Sequence, residues 1–188
     1  MKLFNIVIVG TGGQGLLTLT NIISNAAISE GMDAKTSELH GLSQRGGSVQ
    51  TYIRFGEKVY SPLVPLAGAD LIIGLETTEA LRNIGFANKN TILLTNEYFF
   101  PYLNGPSKEE VEEKINSMYP GQKHIVKASE ICKKEFNNEV VSGVYLLGWL
   151  VSKNLIPLKK ESIKKAISEV IPEKYLDLNK KAFELPNA

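Results

Sequence analysis

The sequence has few of the residues on which metal sites and disulfides depend. Its 188 residues include one cysteine, Cys132, and two histidines, His40 and His124, which lie far apart in the chain. One thiol cannot form an internal disulfide, and a [4Fe–4S] cluster needs about four cysteine ligands. A zinc site is not expected from so few cysteines and histidines. Redox chemistry that involves this chain must therefore use a cofactor that is bound non-covalently or held by another chain.

Long apolar runs and an excess of charge of one sign are also missing. The N-terminal apolar run, Ile6 to Val9, is too short for the core of a signal peptide and far too short to span a bilayer. Lys and Arg total 21 against 20 Asp and Glu, a net charge of +1, which gives no general attraction to nucleic acid or to anionic membranes. We therefore expect a soluble cytoplasmic protein that binds neither.

Strand and helix patterns alternate through the first part of the chain. Phe4 to Val9 is apolar and rich in β-branched residues, as in a strand that is buried on both faces. A glycine turn, Gly10 to Gly15, separates this strand from a helical pattern that begins at Leu16 and ends before Gly31. Asp33 to Ser37 completes a βαβ unit, and a right-handed crossover would make its two strands parallel.

The remaining pattern predicts an α/β protein of three layers. Alternating side chains from Val49 to Phe55, followed by Val59 and Tyr60, predict an antiparallel hairpin. Further strands are predicted at Ala69–Leu75, Thr91–Thr95 and His124–Lys127, and helices at Glu79–Asn83, after Ser107 (a capping box with Glu110), at Val140–Val151 and within Lys159–Leu185, with a break near Pro172. We expect one domain, residues 1–188, with a mostly parallel Rossmann-like sheet, an antiparallel hairpin addition and C-terminal helices.

The glycine turn reads G-T-G-G-Q-G and fits the pattern G-x-G-x-x-G directly after a strand. Glycines let the backbone turn tightly and let amides at a helix N-terminus approach an anion. Glu38 follows 23 positions after Gly15, about where a dinucleotide-binding fold places its ribose-binding carboxylate. The turn could therefore bind a nicotinamide or flavin dinucleotide, with Gln14 meeting the incoming group. Alternatively, its glycines only allow the helix to pack closely on the strand.

A polar loop is predicted from Glu38 to Ser48, E-L-H-G-L-S-Q-R-G-G-S. Loops at the carboxyl edge of a parallel sheet commonly bind ligands. Arg45 could pair with a phosphate or carboxylate, and His40 could donate a hydrogen bond or relay a proton. The loop could equally contact a partner chain, or its polar groups could satisfy one another.

Four other reactive residues are better explained by structure than by catalysis. Cys132 lies in a predicted helix and is interpreted as a buried, inert thiol. His124 is the first residue of a predicted strand and has no acidic or thiol neighbour in sequence. Glu76 and Glu79 lie at a strand end and in the following helix, which Thr77 is placed to cap. They could serve a site, but an acid at a helix N-terminus is the commoner reason for such a placement. No nucleophile–base pair is visible.

Several segments, taken in order, resemble one enzyme family. They are G-T-G-G-Q-G at Gly10–Gly15, the loop at Glu38–Ser48 with its core H-G-L-S-Q-R-G-G, Y-S-P-L at Tyr60–Leu63, A-D-L-I-I-G-L-E at Ala69–Glu76, V-S-G-V-Y-L-L-G at Val141–Gly148 and N-K-K-A-F at Asn179–Phe183. Together they resemble the gamma subunit or domain of 2-oxoacid:ferredoxin oxidoreductases of the pyruvate/ketoisovalerate type. The likeness is greatest to the beta subunit of indolepyruvate ferredoxin oxidoreductase.

The resemblance implies an oxidoreductase that decarboxylates a 2-oxoacid oxidatively with coenzyme A and yields an acyl-CoA, carbon dioxide and reduced ferredoxin. Thiamine diphosphate and [4Fe–4S] clusters are then expected in a partner subunit of a hetero-oligomer, and this chain would be inactive alone. It carries over no catalytic residue and no metal ligand. The residues that would face the substrate or coenzyme A side of the site, or the subunit interface, are Gly10, Gly12, Gly13, Gln14, Gly15, His40, Gln44, Arg45 and Ser48.

Two other functions stay open on sequence grounds. A free-standing dinucleotide-binding oxidoreductase would use the glycine turn and Glu38, although no catalytic acid, base or substrate-binding half follows the nucleotide unit. A pure assembly scaffold would use His40, Gln44 and Arg45 for association alone. The three hypotheses differ in whether the isolated chain retains a nucleotide and in whether it needs a partner for activity.

Overall fold

The computed structural model describes residues 2–41, 46–119 and 121–187. Within these ranges a six-stranded sheet carries helices on both faces. The strands are β1 (Phe4–Thr11), β2 (Asp33–His40), β3 (Ser48–Gly56), β4 (Leu71–Gly74), β5 (Ile92–Asn96) and β6 (Gln122–Val126). The helices are α1 (Leu16–Ser29), α2 (Thr77–Arg82), α3 (Lys108–Met118), α4 (Ala128–Phe136), α5 (Ser142–Ser152), α6 (Lys160–Val170) and α7 (Glu173–Glu184), with short 3₁₀ turns at Ile84–Phe86 and Leu185–Asn187.

The order of strands in the sheet is β2-β3-β1-β4-β5-β6. Strands β1, β4, β5 and β6 are parallel, whereas β3 is antiparallel to both of its neighbours, β1 and β2. The predicted α/β class, with a mostly parallel sheet and an antiparallel hairpin, is confirmed. None of the helices in the described ranges has the length and apolar character that crossing a bilayer requires.

The position of β3 differs from the expected one. β2 runs in the same direction as β1, as the crossover rule predicts, but β3 lies between them. The hairpin partner of β3 is β2, so the prediction of a hairpin with Val59 and Tyr60 was wrong. After Gly56 the backbone amide of Val59 donates to the carboxylate of Asp33 at 2.8 Å, and residue 59 joins no strand. The polar loop is also shorter than predicted, because Glu38 to His40 belong to β2.

Two hydrophobic cores enclose the sheet, because successive side chains of a strand point to opposite faces. Ile6 and Ile8 of β1 enter one core, which is packed by α1 and by the helices α4 to α7. Val7 and Val9 enter the other core, under α2 and α3. All four side chains are fully buried. This two-sided burial explains the continuous apolar run at the start of the sequence, and it confirms the three layers.

The helix boundaries follow local signals with one exception. Ser107 and Glu110 form the expected capping box at the start of α3, and the tail is broken into α6 and α7 at Pro172. The cap of α2 is Glu76, whose Oε2 accepts a hydrogen bond from the backbone amide of Glu79 at 2.7 Å. The prediction of Thr77 as the cap was wrong. Its hydroxyl instead lies within hydrogen-bond distance of the backbone carbonyls of Asn96, at the end of β5, and of Tyr98.

Helices α5 and α7 approach each other with their backbones nearly in contact. A Cβ on Gly148 of α5 would overlap the carbonyl oxygen of Phe183 and would lie 2.9 Å from its carbonyl carbon. Gly143, one and a half turns earlier, would place its Cβ 3.7 Å from the side chain of Leu75, an ordinary contact distance. Glycine at position 148 therefore sets the spacing of these two helices.

Candidate functional site

The polar segments predicted from sequence meet at one edge of the sheet. Strands β1, β4, β5 and β6 all point their carboxyl ends to this edge, and β3 begins there, with Ser48 paired opposite Thr11. The glycine turn, the end of β2 and the starts of α2 and α4 are therefore neighbours. In open α/β sheets ligands bind at this carboxyl edge. This edge of the sheet is called the carboxyl edge.

The glycine turn needs glycine for two different reasons. Gly13 (φ +102°) and Gly15 (φ +79°) have left-handed backbone conformations that other residues adopt only with strain. Gly10 has an ordinary conformation, but a Cβ there would lie 2.5 Å from Oε1 of Gln14 and 3.1 Å from Cβ of Leu75. The turn is thus closed tightly around the side chain of Gln14.

Gln14 uses its side chain to shape the turn. Its Oε1 accepts a hydrogen bond from the backbone amide of Thr11 at 2.8 Å, and its Nε2 donates to the carbonyl of Leu75 at 3.3 Å. The side-chain amide therefore joins the end of β1 to the end of β4. Asn96, at the end of β5, donates to the same carbonyl. A glutamine at this position links neighbouring strand ends, a role that its spacing in sequence did not indicate.

Substitution of Gln14 tests this role. Gln14→Ala removes the acceptor of the Thr11 amide and one donor to Leu75, so we expect the free energy of unfolding to fall by about 1–2 kcal/mol. Urea unfolding of the isolated chain measures the change. Gln122→Ala is the control, because the side chain of this exposed glutamine is hydrogen-bonded only to His124 among the described residues, and its removal should cost less than about 0.5 kcal/mol. Equal stability of the two variants would contradict the proposed link.

The glycine turn is bonded to the segment that precedes β3. The amide of Gly12 donates to the carbonyl of Gly47 at 2.9 Å, and the amide of Gly46 donates to the carbonyl of Gly12 at 3.3 Å. A dinucleotide-binding turn keeps such amides available for the pyrophosphate. Here the amide of Gly12 already has a partner within the chain, and β3 lies beside β1 where a dinucleotide-binding fold has its second parallel strand.

A cleft of about 310 Å³ opens beside the glycine turn. It is lined by Gly12, Gly13 and Gln14 on one side and by Ser129, Val140 and Ser142 on the other. Helices α1 and α5 both begin here, and neither has a side-chain cap among the described residues. Helix N-termini carry partial positive charge and free amides, which favour an anionic group, whereas Glu139, which also lines the cleft, opposes one.

A second groove, of about 330 Å³, lies on the other side of the turn. Glu38 and His40 of β2 line it together with Gly15 and Leu17. His40 is exposed, and its Nδ1 lies 3.0 Å from the carbonyl of Gly41. The structure thus brings the sequence-predicted residues Gly12, Gly13, Gln14, Gly15 and His40 to one place. Gln44 and Arg45 lie outside the described residues.

Ser48 makes a contact that sequence analysis missed. Its hydroxyl donates to Oε2 of Glu79 at 2.6 Å, and the other oxygen of this carboxylate pairs with Arg82. Glu79 is buried at the carboxyl edge, as is Glu76. An acid in the first turn of the helix that follows a buried strand was the available signal. The partner of the acid could not be read from it, because Ser48 lies in a different strand.

The remaining reactive side chains have structural surroundings. Cys132 is fully buried, and burial raises the pKa of its thiol to about 11, which suits an inert residue. His124 packs against the ring of Trp149, with 4.8 Å between the ring centroids, and burial together with the charge of Lys153 lowers its pKa. The predicted burial of Cys132 is confirmed. In the described part of the chain no three His, Cys, Asp or Glu side chains are grouped to hold a metal ion.

Solved structures share this fold over almost the whole chain. One is the gamma subunit of a keto/oxoacid ferredoxin oxidoreductase from Geobacter sulfurreducens, with a TM-score of 0.73, 21% identity, and coverage of 97% of this chain and 95% of that one. Another is a 2-oxoglutarate:ferredoxin oxidoreductase from Magnetococcus marinus with 2-oxoglutarate, coenzyme A and succinyl-CoA bound. Its TM-score is 0.76 at 18% identity. The match covers 100% of this chain and 31% of that one. Both structures therefore contain the fold of this chain.

Sequence comparison identifies the family of the chain. Residues 5–185 match the pyruvate ferredoxin/flavodoxin oxidoreductase family. The chain is 38% identical over 192 aligned positions to the indolepyruvate oxidoreductase subunit IorB of Pyrococcus horikoshii, with 98% of this chain and 95% of the relative covered. The chain belongs to the pyruvate ferredoxin/flavodoxin oxidoreductase family. The resemblance to 2-oxoacid:ferredoxin oxidoreductases inferred from its motifs is confirmed.

Proposed function

We propose that this chain is a non-autonomous subunit of a 2-oxoacid ferredoxin oxidoreductase whose substrate is an arylpyruvate such as indolepyruvate. The enzyme would decarboxylate the 2-oxoacid oxidatively and transfer the acyl group to coenzyme A, with reduction of ferredoxin. The substrate class is supported by the 38% identity to an indolepyruvate oxidoreductase subunit. The chain would act as one domain in the cytoplasm, inside a hetero-oligomer.

Thiamine diphosphate and iron–sulfur clusters would be held by the partner subunit. The donor set of this chain does not suit a [4Fe–4S] cluster, because such a cluster needs about four thiolate ligands and the sequence has one cysteine, which is buried. Electron transfer to ferredoxin would therefore run through the partner. The contribution of this chain would be to bind and shape the catalytic subunit's site.

The observation that carries this proposal is an exposed apolar rim around the glycine turn. The apolar rim consists of Leu17, Leu39, Phe100, Tyr102, Leu103 and Val140. These side chains come from the start of α1, the end of β2, the loop after β5 and the segment before α5, so they surround the carboxyl edge on several sides. Large exposed apolar patches bordered by polar groups mark protein interaction sites. A partner that covered this rim would enclose the cleft and the groove beside the turn.

Most of the residues predicted to face the site belong to the glycine turn and to the end of β2, next to residues of the apolar rim. We propose that the glycine turn and the end of β2 face the substrate or coenzyme A side of the assembled site. The 2-oxoglutarate enzyme with the same fold has coenzyme A bound, and the helix N-termini at the cleft offer a suitable environment for an anionic group. The full proposed set is Gly10, Gly12, Gly13, Gln14, Gly15, His40, Gln44, Arg45 and Ser48.

A second candidate function is a free-standing dinucleotide-binding oxidoreductase. It is favoured by the groove that Glu38 shares with Gly13 and Gly15, since a carboxylate near the turn could bind a ribose. The bond between Gly12 and Gly47 and the interposed strand β3 argue against it. Under this alternative the isolated chain would bind a nicotinamide or flavin dinucleotide stoichiometrically.

Reconstitution separates the two functions. The tagged chain, the thiamine diphosphate subunit and the co-expressed complex of the two are purified separately, and each sample is assayed for 2-oxoacid-dependent dye reduction with coenzyme A. We expect activity only in the complex, with thiamine diphosphate and iron–sulfur absorbance present, and with indolepyruvate preferred over pyruvate. Activity of the partner alone at the rate of the complex, or a dinucleotide retained by the isolated chain, would contradict the proposal.

A further inference from the structure

Glu79 is a buried carboxylate with two side-chain partners. Its side chain is 4% exposed. Oε2 accepts the hydroxyl hydrogen of Ser48 at 2.6 Å, and Oε1 pairs with the guanidinium of Arg82. Hydrogen bonds to an ionised acceptor are roughly twice as strong as neutral ones, and a buried carboxylate that loses its partners is strongly unfavourable. The position of Ser48 is therefore firmly tied to α2.

A second bond ties α2 to the same face of β3. The side-chain amide nitrogen of Asn83 donates to the carbonyl of Glu79 at 2.9 Å, and its oxygen accepts a hydrogen bond from Nε2 of Gln50 at 2.8 Å. Ser48 and Gln50 are two residues apart in a strand, so their side chains point to the same side. Helix α2 thus holds the amino end of β3 at two successive positions on one face.

The amino end of β3 in turn holds the glycine turn. Ser48 pairs opposite Thr11, and the two residues before it exchange backbone hydrogen bonds with Gly12. These bonds leave little freedom between the start of β3 and the turn. A shift of Ser48 away from Glu79 would therefore displace the segment that covers Gly12.

We propose that Glu79 is a positioning residue that fixes the glycine turn, through Ser48, in the arrangement that the catalytic subunit recognises. The effect on partner binding rests on the proposed function; the effect on the turn does not. The carboxylate makes both of its bonds charge-assisted, the one from the Ser48 hydroxyl and the one from the Arg82 guanidinium. A glutamine in its place has one acceptor and one donor group, and it leaves Arg82 without a counter-charge.

Amide hydrogen exchange of the isolated chain tests the effect on the turn. The variants are Glu79→Gln and Ser48→Ala, with Ser48→Thr to restore the hydroxyl and Glu184→Gln as a control for loss of an ion pair elsewhere, since Glu184 pairs with Lys160 and Lys164. We expect exchange at Gly12 and Gly46 to be about tenfold faster in the first two variants, the change that corresponds to one lost hydrogen bond. Ser48→Thr and Glu184→Gln should exchange at the original rate.

Affinity for the thiamine diphosphate subunit tests the effect on docking. Glu79→Gln and Ser48→Ala should bind about tenfold more weakly, and Ser48→Thr should bind like the unsubstituted chain. Unchanged exchange at Gly12, or faster exchange spread evenly over the whole chain, would overturn the proposal. Faster exchange with unchanged affinity would overturn its docking role. If the unsubstituted chain does not bind the subunit, the proposed function fails, and exchange at Gly12 still decides whether Glu79 positions the turn.

Discussion

Gly148→Ala is expected to lower the free energy of unfolding by about 3 kcal/mol, the upper part of the usual range for overpacking. The added methyl group would overlap the backbone carbonyl of Phe183, and a backbone atom cannot move aside as a flexible side chain can. The helices α5 and α7 must then separate, which opens the core that both of them fill. For a chain of this size the melting temperature should fall by roughly 10 °C.

Gly143→Ala provides a matched control in the same helix. It adds the same group at another buried position of α5, where the nearest side-chain atom would be 3.7 Å away. Alanine is favoured over glycine in a helix by about 1 kcal/mol, so this variant should be as stable as the unsubstituted chain or more stable. Thermal unfolding followed by circular dichroism compares the two. Equal melting temperatures would show that α5 and α7 are not held at this distance.

Charges placed on the apolar rim are expected to separate this chain from its partner. Leu103 is 91% exposed and Val140 is 67% exposed, so Leu103→Asp and Val140→Asp should change the stability of the isolated chain by less than about 0.5 kcal/mol. Within an interface each aspartate would be desolvated without a partner. We expect the double variant to bind the thiamine diphosphate subunit at least about 100-fold more weakly, the size of loss that is seen when apolar residues that dominate an interface are replaced.

Leu66→Asp is the control for this surface. Leu66 is 74% exposed but lies before β4, at the amino ends of the parallel strands and away from the apolar rim. This variant should bind the subunit normally and support full 2-oxoacid-dependent activity. Affinities measured by titration calorimetry or surface plasmon resonance decide the comparison. Normal binding of the double variant, or a loss with Leu66→Asp as well, would argue against docking through the apolar rim.

Local signals in the sequence were sufficient for most of the elements. The run from Phe4, the glycine turn and the helical spacing after Leu16 predict β1 and α1 within two residues of their ends, and the spacing of Ser107 and Glu110 predicts the capping box. These features depend on residues close in the chain. The partner of β3 does not depend on nearby residues alone, because strand pairing is decided by tertiary packing. The alternation of the side chains of β3 is equally compatible with either neighbour.

The location of the candidate site could be predicted from the sequence, but most of its side-chain contacts could not. Glycines after a strand indicate a turn at the carboxyl edge, and the structure places His40 there as well. The bonds of Gln14 to Leu75 and of Ser48 to Glu79 join residues that are 61 and 31 positions apart. Neither partner can be inferred from spacing, because each bond exists only after β4 and α2 have been placed beside β1 and β3.

The outer strand β2 protects the protein against aggregation. An open sheet edge presents unpaired backbone groups to which another chain can add, and charged side chains oppose such addition. β2 carries Asp33, Lys35 and Glu38 within eight residues, and the side chains of Asp33 and Lys35 are about 36% and 41% exposed. A second copy that paired with this edge would have to desolvate these charges. The isolated chain can therefore expose its apolar rim without also forming strand-to-strand fibres through β2.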